Sequence, residues 1–173
     1  LSSARDFSFF IVGSFDVEKI KPLIATYLAS LPTGDIPVAF KDEGIRPIKG
    51  VVKKEVRAGS DPKSTVSLTF TGDAKYSREE RMRMQALIEV LNIKLIEVLR
   101  EKMGVIYSGG MNGSLNRIPY GNYSISATLP CAPENVDKVI AATFAEIEKI
   151  KQDGADEADL NKVKSSWLKS YQK

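Results

Sequence analysis

Apolar residues recur along this chain with two different periods, and the switches between them mark out its elements. From Arg78 to Lys102 they fall at Met84, Ile88, Leu91, Leu95 and Leu99, three or four apart, which predicts a long helix with one buried face. Ser77, followed three residues later by Glu80, is a capping-box signature for its start. Gly104 is its predicted end, because glycine accepts the left-handed conformation that closes a helix, and Lys102 adds a cation where the helix dipole is negative. Val105 and Ile106 then open an extended run that carries Tyr107. Arg100 and Tyr107 therefore leave one corner of the fold from two different elements, where a guanidinium and a phenol can converge.

The remaining elements follow from the same two periods. Phe7 to Val12, rich in aromatic and β-branched residues and bounded by Gly13, predicts a buried strand. Asp16 is a candidate N-cap for a helix bearing Val17, Ile20, Leu23, Ile24, Tyr27, Leu28 and Leu31, stopped by Leu31-Pro32-Thr33-Gly34; Pro22 inside it predicts a later start or a bend. Asp35 to Gly50 has loop composition. Val51–Val56 and Thr65–Thr71 alternate around Gly59-Ser60-Asp61-Pro62 and predict an antiparallel hairpin. Two more strands are expected at Val105–Leu115, interrupted by Gly109, Gly110 and Gly113, and at Tyr120–Leu129. The glycines predict bulges or close backbone approach.

Pro133 opens a further helix with Val136, Val139, Ile140, Phe144, Ile147 and Ile150 on one side, ending at Gly154. Asp156 is expected to cap a last helix bearing Leu160, Val163, Trp167 and Leu168. Helices do not alternate singly with strands in this order. The expected fold class is therefore α+β, a two-layer sandwich with a mostly antiparallel sheet against helices, as a single domain over 1–173.

Composition narrows the chemistry. The formal charge of +3 comes from acids and bases interleaved along the chain, which favours neither nucleic acid nor an anionic membrane as a partner. No apolar run approaches the roughly 20 residues that span a bilayer, and the amino end lacks a signal-peptide pattern. It also lacks a starting methionine, so the chain is expected to be a fragment of something longer. The absence of histidine excludes serine–histidine triads, cysteine–histidine dyads and histidine-based zinc sites within it. Cys131 has no cysteine to pair with and no histidine to activate it, and reads as a small, partly buried side chain. The carboxylates sit among lysines on helix exteriors, as solvated charges do.

Three stretches carry a resemblance. Phe9-Phe10-Ile11-Val12-Gly13-Ser14-Phe15-Asp16, the helix ending at Leu31-Pro32, and above all Leu99-Arg100-Glu101-Lys102-Met103-Gly104-Val105-Ile106-Tyr107 resemble the carboxy-terminal-type domain of the pitrilysin, insulinase and mitochondrial processing peptidase family; Gly154 to Lys164 resembles the helix opening that ends such domains. The resemblance implies a processing-peptidase-like fold and a non-catalytic domain of a zinc metallopeptidase that helps enclose a peptide chamber. Zinc is bound in the family by an inverted H-x-x-E-H motif in a different domain, and this chain has none. What is implied instead is that Arg100 and Tyr107, seven residues apart, bind substrate and stabilise the transition state from across the chamber. The implied partners are the zinc-binding half of the same polypeptide or a second subunit, and a peptide substrate; the implied compartment is the bacterial periplasm or cell envelope. The alternative is a purely structural, inactive scaffold domain that binds neighbouring subunits. A helix-end arginine that satisfies its own carbonyls and an ordinary sheet tyrosine would suit that alternative.

Overall fold

Ten consecutive residues, Ser64–Asp73, form a strand (β1) whose even-numbered side chains from Val66 onward turn inward and whose odd-numbered ones stay outside. The computed structural model to which it belongs describes residues 3–34 and 40–172. The chain divides into two compact units, Leu1–Lys41 and Asp42–Lys173.

In the second unit β1 is joined by β2 (Gly110–Asn116) and β3 (Asn122–Cys131) in the order β1-β3-β2, all antiparallel. The register sets Val66 opposite Leu129, Leu68 opposite Ala127 and Phe70 opposite Ile125 on one face. On the other face Ser67 meets Thr128, Thr69 meets Ser126 and Thr71 meets Ser124. One face is thus aliphatic and aromatic while the other is hydroxyl-bearing, the division expected where only one side of a sheet is covered.

Helices cover the apolar face. Helix α2 (Arg78–Leu95) starts where Ser77 Oγ accepts from Glu80 N at 3.0 Å, and it continues into a π-helical segment, Ile96–Lys102. A 3₁₀ turn at Pro133–Asn135 leads into α3 (Val136–Asp153), which ends at Gly154 with φ 81°. Helix α4 (Glu157–Tyr171) is capped by Asp156, whose Oδ1 accepts from Ala158 N at 2.8 Å. The core between sheet and helices is centred on Leu95, Leu99, Leu129 and Val139, none more than 1% exposed. The fold is α+β, with the antiparallel sheet and helical layer that the sequence predicts.

Helix α4 has few apolar residues, and polar bonds bring it onto α2. Asp159, 3% exposed, sits at its start. Its Oδ2 lies 2.7 Å from Lys94 Nζ on α2, and its Oδ1 accepts from Lys162 Nζ at 2.8 Å. Further along, Trp167 Nε1 donates to Glu89 Oε1 at 2.7 Å. Hydrogen bonds from Lys162 and then Lys94 hold the Asp159 carboxyl below its usual range.

The expected hairpin is corrected here. Val51–Val56 forms no strand, and the predicted hairpin is absent; Val51 and Val56 are 89% and 88% exposed. β1 pairs with β3 instead, because that ten-residue register sets Val66, Leu68 and Phe70 against apolar partners, whereas Val51–Val56 buries no side chain. Of the loop expected over 35–50, residues 35–39 lie outside the described residues, and 40–50 is irregular. In that stretch Asp42 is bridged by both terminal nitrogens of Arg46 at 2.9 and 2.6 Å, and the guanidinium lies 3.7 Å over the Tyr120 ring. The hydrogen bond from Arg46 lowers the Asp42 pKa to about 2.

The first unit contains α1 (Val17–Tyr27), where Asp16 Oδ1 accepts from Glu18 N and Lys19 N at 2.9 and 3.2 Å. Pro22 sits inside this helix without ending it, at the expense of the bond its nitrogen cannot donate. The helix closes at Tyr27, one turn short of Leu31, with Leu28 N donating to Ile24 O at 2.9 Å. Ser3 Oγ donates to Gly34 O at 2.9 Å and Ala4 N to Pro32 O at 2.7 Å, tying the two ends of the unit together. The strand expected at Phe7–Val12 is not formed. Among the described residues it pairs with no other strand, and Phe10 and Val12 are 89% and 97% exposed. A β-prone run becomes a strand only where a neighbouring strand satisfies its backbone groups, and no described strand does so here.

Candidate functional site

The corner between Leu99 and Tyr107 is built by a change of helix type. In the π-helical segment the ladder lengthens: Met103 N donates to Val98 O at 3.0 Å, five residues back, and Val105 N to Leu99 O at 2.9 Å, six back. Gly104, at φ 62°, then releases the chain, as its left-handed conformation allows. Val105 and Ile106 drop into the core at 7% and 4% exposure, and Ile106 forms a single antiparallel bridge with Cys131. Tyr107 follows in a bend, before β2 begins at Gly110, so it stands on a loop rather than on the strand the sequence predicts. Leu99 and Ile106 anchor the two sides of the corner, and the residue after each points outward.

Those outward residues are Arg100, which is exposed, and Tyr107, which is 80% exposed. Among the described residues neither side chain makes a hydrogen bond, an ion pair or a ring contact, and none joins the two. The structure thus puts both groups at one corner without bonding them to each other. Glu97, three residues before Arg100, is engaged elsewhere. Its Oε1 accepts from Lys102 Nζ at 2.6 Å and its Oε2 lies 3.7 Å from Lys94 Nζ. Lys102 beside it holds its carboxyl below the usual range.

An open cleft of about 500 Å³ lies beside the π-helical segment, lined by Asn92, Ile96, Gly109, Gly110, Thr128 and Pro130 among others. The glycines predicted to allow close approach do so within the chain. A Cβ at Gly109 would sit 2.4 Å from Thr128 O, and one at Gly113 would sit 2.7 Å from Ile88 Cγ1. Asn92 was not singled out from the sequence, yet it organises the cleft wall. Its Nδ2 donates to Met111 O and its Oδ1 accepts from Met111 N, both at 2.7 Å, as the peptide of a neighbouring strand would. A polar residue between Leu91 and Leu95 on an apolar helix was the signal available. Cys131 is 4% exposed, and burial pushes its thiol pKa up, which disfavours the thiolate a nucleophile needs.

The described residues do not fit zinc. There is no histidine, and among the described residues no three cysteine, aspartate or glutamate side chains cluster as metal ligands would. No helix among the described residues is long and apolar enough to cross a membrane.

Residues 2–166 match the family described as the Peptidase M16 inactive domain. A curated relative, the probable zinc protease PqqL of Haemophilus influenzae, is 26% identical over 159 residues, covering 91% of this chain and 17% of that protein. The solved periplasmic protease PqqL of Escherichia coli superposes with a TM-score of 0.74 at 22% identity, over 91% of this chain and 18% of that one. The first half of the same protease, solved separately, gives 0.59 at 19% identity, over 90% of this chain and 35% of that one. At those identities the structural likeness is one of fold, and the chain spans about a fifth or less of the whole proteins it matches. The match over 2–166 is decisive: this chain belongs to the M16 peptidase family as its inactive, non-catalytic type of domain.

Proposed function

We propose that residues 1–173 act as one domain of a longer zinc peptidase, forming part of the wall of a peptide-enclosing chamber, and that Arg100 and Tyr107 reach the substrate from that wall. Zinc would belong to another domain of the same polypeptide or to a second subunit, since this chain has no histidine and no metal-holding cluster among its described residues. The setting would be periplasmic, the word attached to the Escherichia coli relative. What supports the site is the pairing of family membership with two chemically able, exposed side chains that no other described residue engages.

The chemistry suits them. A phenol donates a hydrogen bond to the oxygen that gains charge as a peptide carbonyl is attacked, and it does so best when fixed in place beforehand. A planar guanidinium holds backbone carbonyl oxygens or a carboxylate with two donors at once. Tyr107 would act on the transition state and Arg100 on the bound peptide.

The test is made in the full-length gene product that contains this chain. Tyr107→Phe keeps the ring and removes the donor, and it is expected to lower kcat by about 10- to 1000-fold. Arg100→Ala is expected to raise KM. Unchanged kinetics in both variants would leave the scaffold alternative, a domain that only binds neighbouring subunits.

A further inference from the structure

Arg100 has an anionic side chain on its own helix at the spacing where capture is normal. Glu97 precedes it by three residues, and in an α-helix carboxylate–guanidinium pairs three or four apart close on one another. The residue four after Glu97 is Glu101, a like charge, so α-helical geometry would turn Glu97 toward Arg100 rather than toward Glu101. The π-helical segment changes the neighbours. Bonding five residues apart brings Lys102 over Glu97, and the two meet at 2.6 Å. Lys94, on the preceding turn, faces the other carboxylate oxygen at 3.7 Å. One oxygen of Glu97 is thereby bonded by Lys102 and the other faces the charge of Lys94, whose closer partner is Asp159 at 2.7 Å, and Arg100 is left without a partner among the described residues.

We infer that Lys102 is a positioning residue for the site: by holding Glu97 across the π-helical turn, it prevents Glu97 from capturing Arg100 and keeps the guanidinium available to a peptide carbonyl or carboxylate. The inference rests on the proposed role of Arg100 and adds to it the reason that role survives beside a carboxylate. Lys102 itself touches no substrate. The pair is exposed, with side chains 64% and 38% accessible, so its effect is modest and screened by salt.

The experiment uses the full-length protein and a quenched fluorescent peptide of mixed, unstructured sequence at low ionic strength, with peptide Kd read by anisotropy on chelator-treated protein. Lys102→Met is expected to lower kcat/KM by about two- to five-fold, with the loss in KM and Kd rather than in kcat. Lys102→Arg, which keeps the charge and reach, is expected to retain wild-type values. Adding Glu97→Gln to Lys102→Met is expected to restore them, because no carboxylate remains to capture Arg100. In an Arg100→Ala background Lys102→Met is expected to change nothing further. A lysine of merely structural use would show its loss in all backgrounds. The inference is overturned if Lys102→Met loses nothing, or if its loss persists with Glu97→Gln or with Arg100→Ala. If Arg100→Ala alone leaves KM and Kd unchanged, the proposed role of Arg100 falls and this inference falls with it.

Discussion

Single residues at the edge of β2 decide whether that strand can sit where it does. Asn92 satisfies both backbone groups of Met111, a residue 2% exposed. Asn92→Ala leaves a buried donor and acceptor unpaired and is expected to cost about 1–3 kcal/mol in urea unfolding. Asn92→Asp cannot donate to Met111 O and is expected to lose as much, whereas loss of side-chain packing alone would leave it near wild type. The glycines divide in the same way. Gly109, at φ 115° with Thr128 O in the path of any Cβ, is expected to lose about 2–4 kcal/mol as alanine. Gly104, at φ 62° with open space around it, pays only for its backbone and is expected to lose about 1–2 kcal/mol.

Helix α4 is attached largely through polar bonds. Asp159 and Trp167 pin it to α2 at two points, through Lys94 and Glu89. Asp159→Asn removes the charge that faces Lys94 and Lys162 and is expected to cost about 1–3 kcal/mol; Lys94 retains Glu97 and Asp156, each at 3.7 Å, which moderates the loss. The pH dependence has a fixed sign. The Asp159 carboxyl is held below its unfolded value of 3.8, so its contribution is complete above that value and is lost as pH falls below it. Asp42 behaves likewise, its contribution fading between 3.8 and about 2. Hydrogen exchange followed from pH 6 to pH 3 is expected to show α4 amides losing protection in the wild type, and Asp159→Asn is expected to show a weaker dependence over that range.

Across the whole molecule, what the sequence conveyed was whatever local chemistry dictates. The caps at Asp16, Ser77 and Asp156 and the glycine stops at Gly104 and Gly154 are decided within a few residues, and each stands where its neighbours place it. Strand partners were not legible in the same way. Thr65–Thr71 alternates equally well with either neighbour, and only the match of Val66, Leu68 and Phe70 to Leu129, Ala127 and Ile125 selects β3. The π-helical segment was hidden too, since Leu91, Leu95 and Leu99 fit an unbroken α-helix. At the site, the exposed corner bearing Arg100 and Tyr107 was readable from the flanking apolar residues. The engagement of Glu97 by Lys102 was not, because it depends on five-residue spacing. Cys131 reports on the fold as a whole: it is 4% exposed with its thiol pKa raised by burial, so iodoacetamide is expected to modify it only as fast as the sheet opens, and added denaturant is expected to accelerate that reaction. The uncovered side of the sheet has a different bearing. Threonines and serines dominate there, joined by Asn112, Asn116 and Asn122, and among these strand residues Asp73 alone brings a formal charge. With one carboxylate along the sheet, such a surface has little charge to attract a partner by, so its contacts with a passing chain would run mainly through hydroxyl and amide hydrogen bonds and depend only weakly on ionic strength.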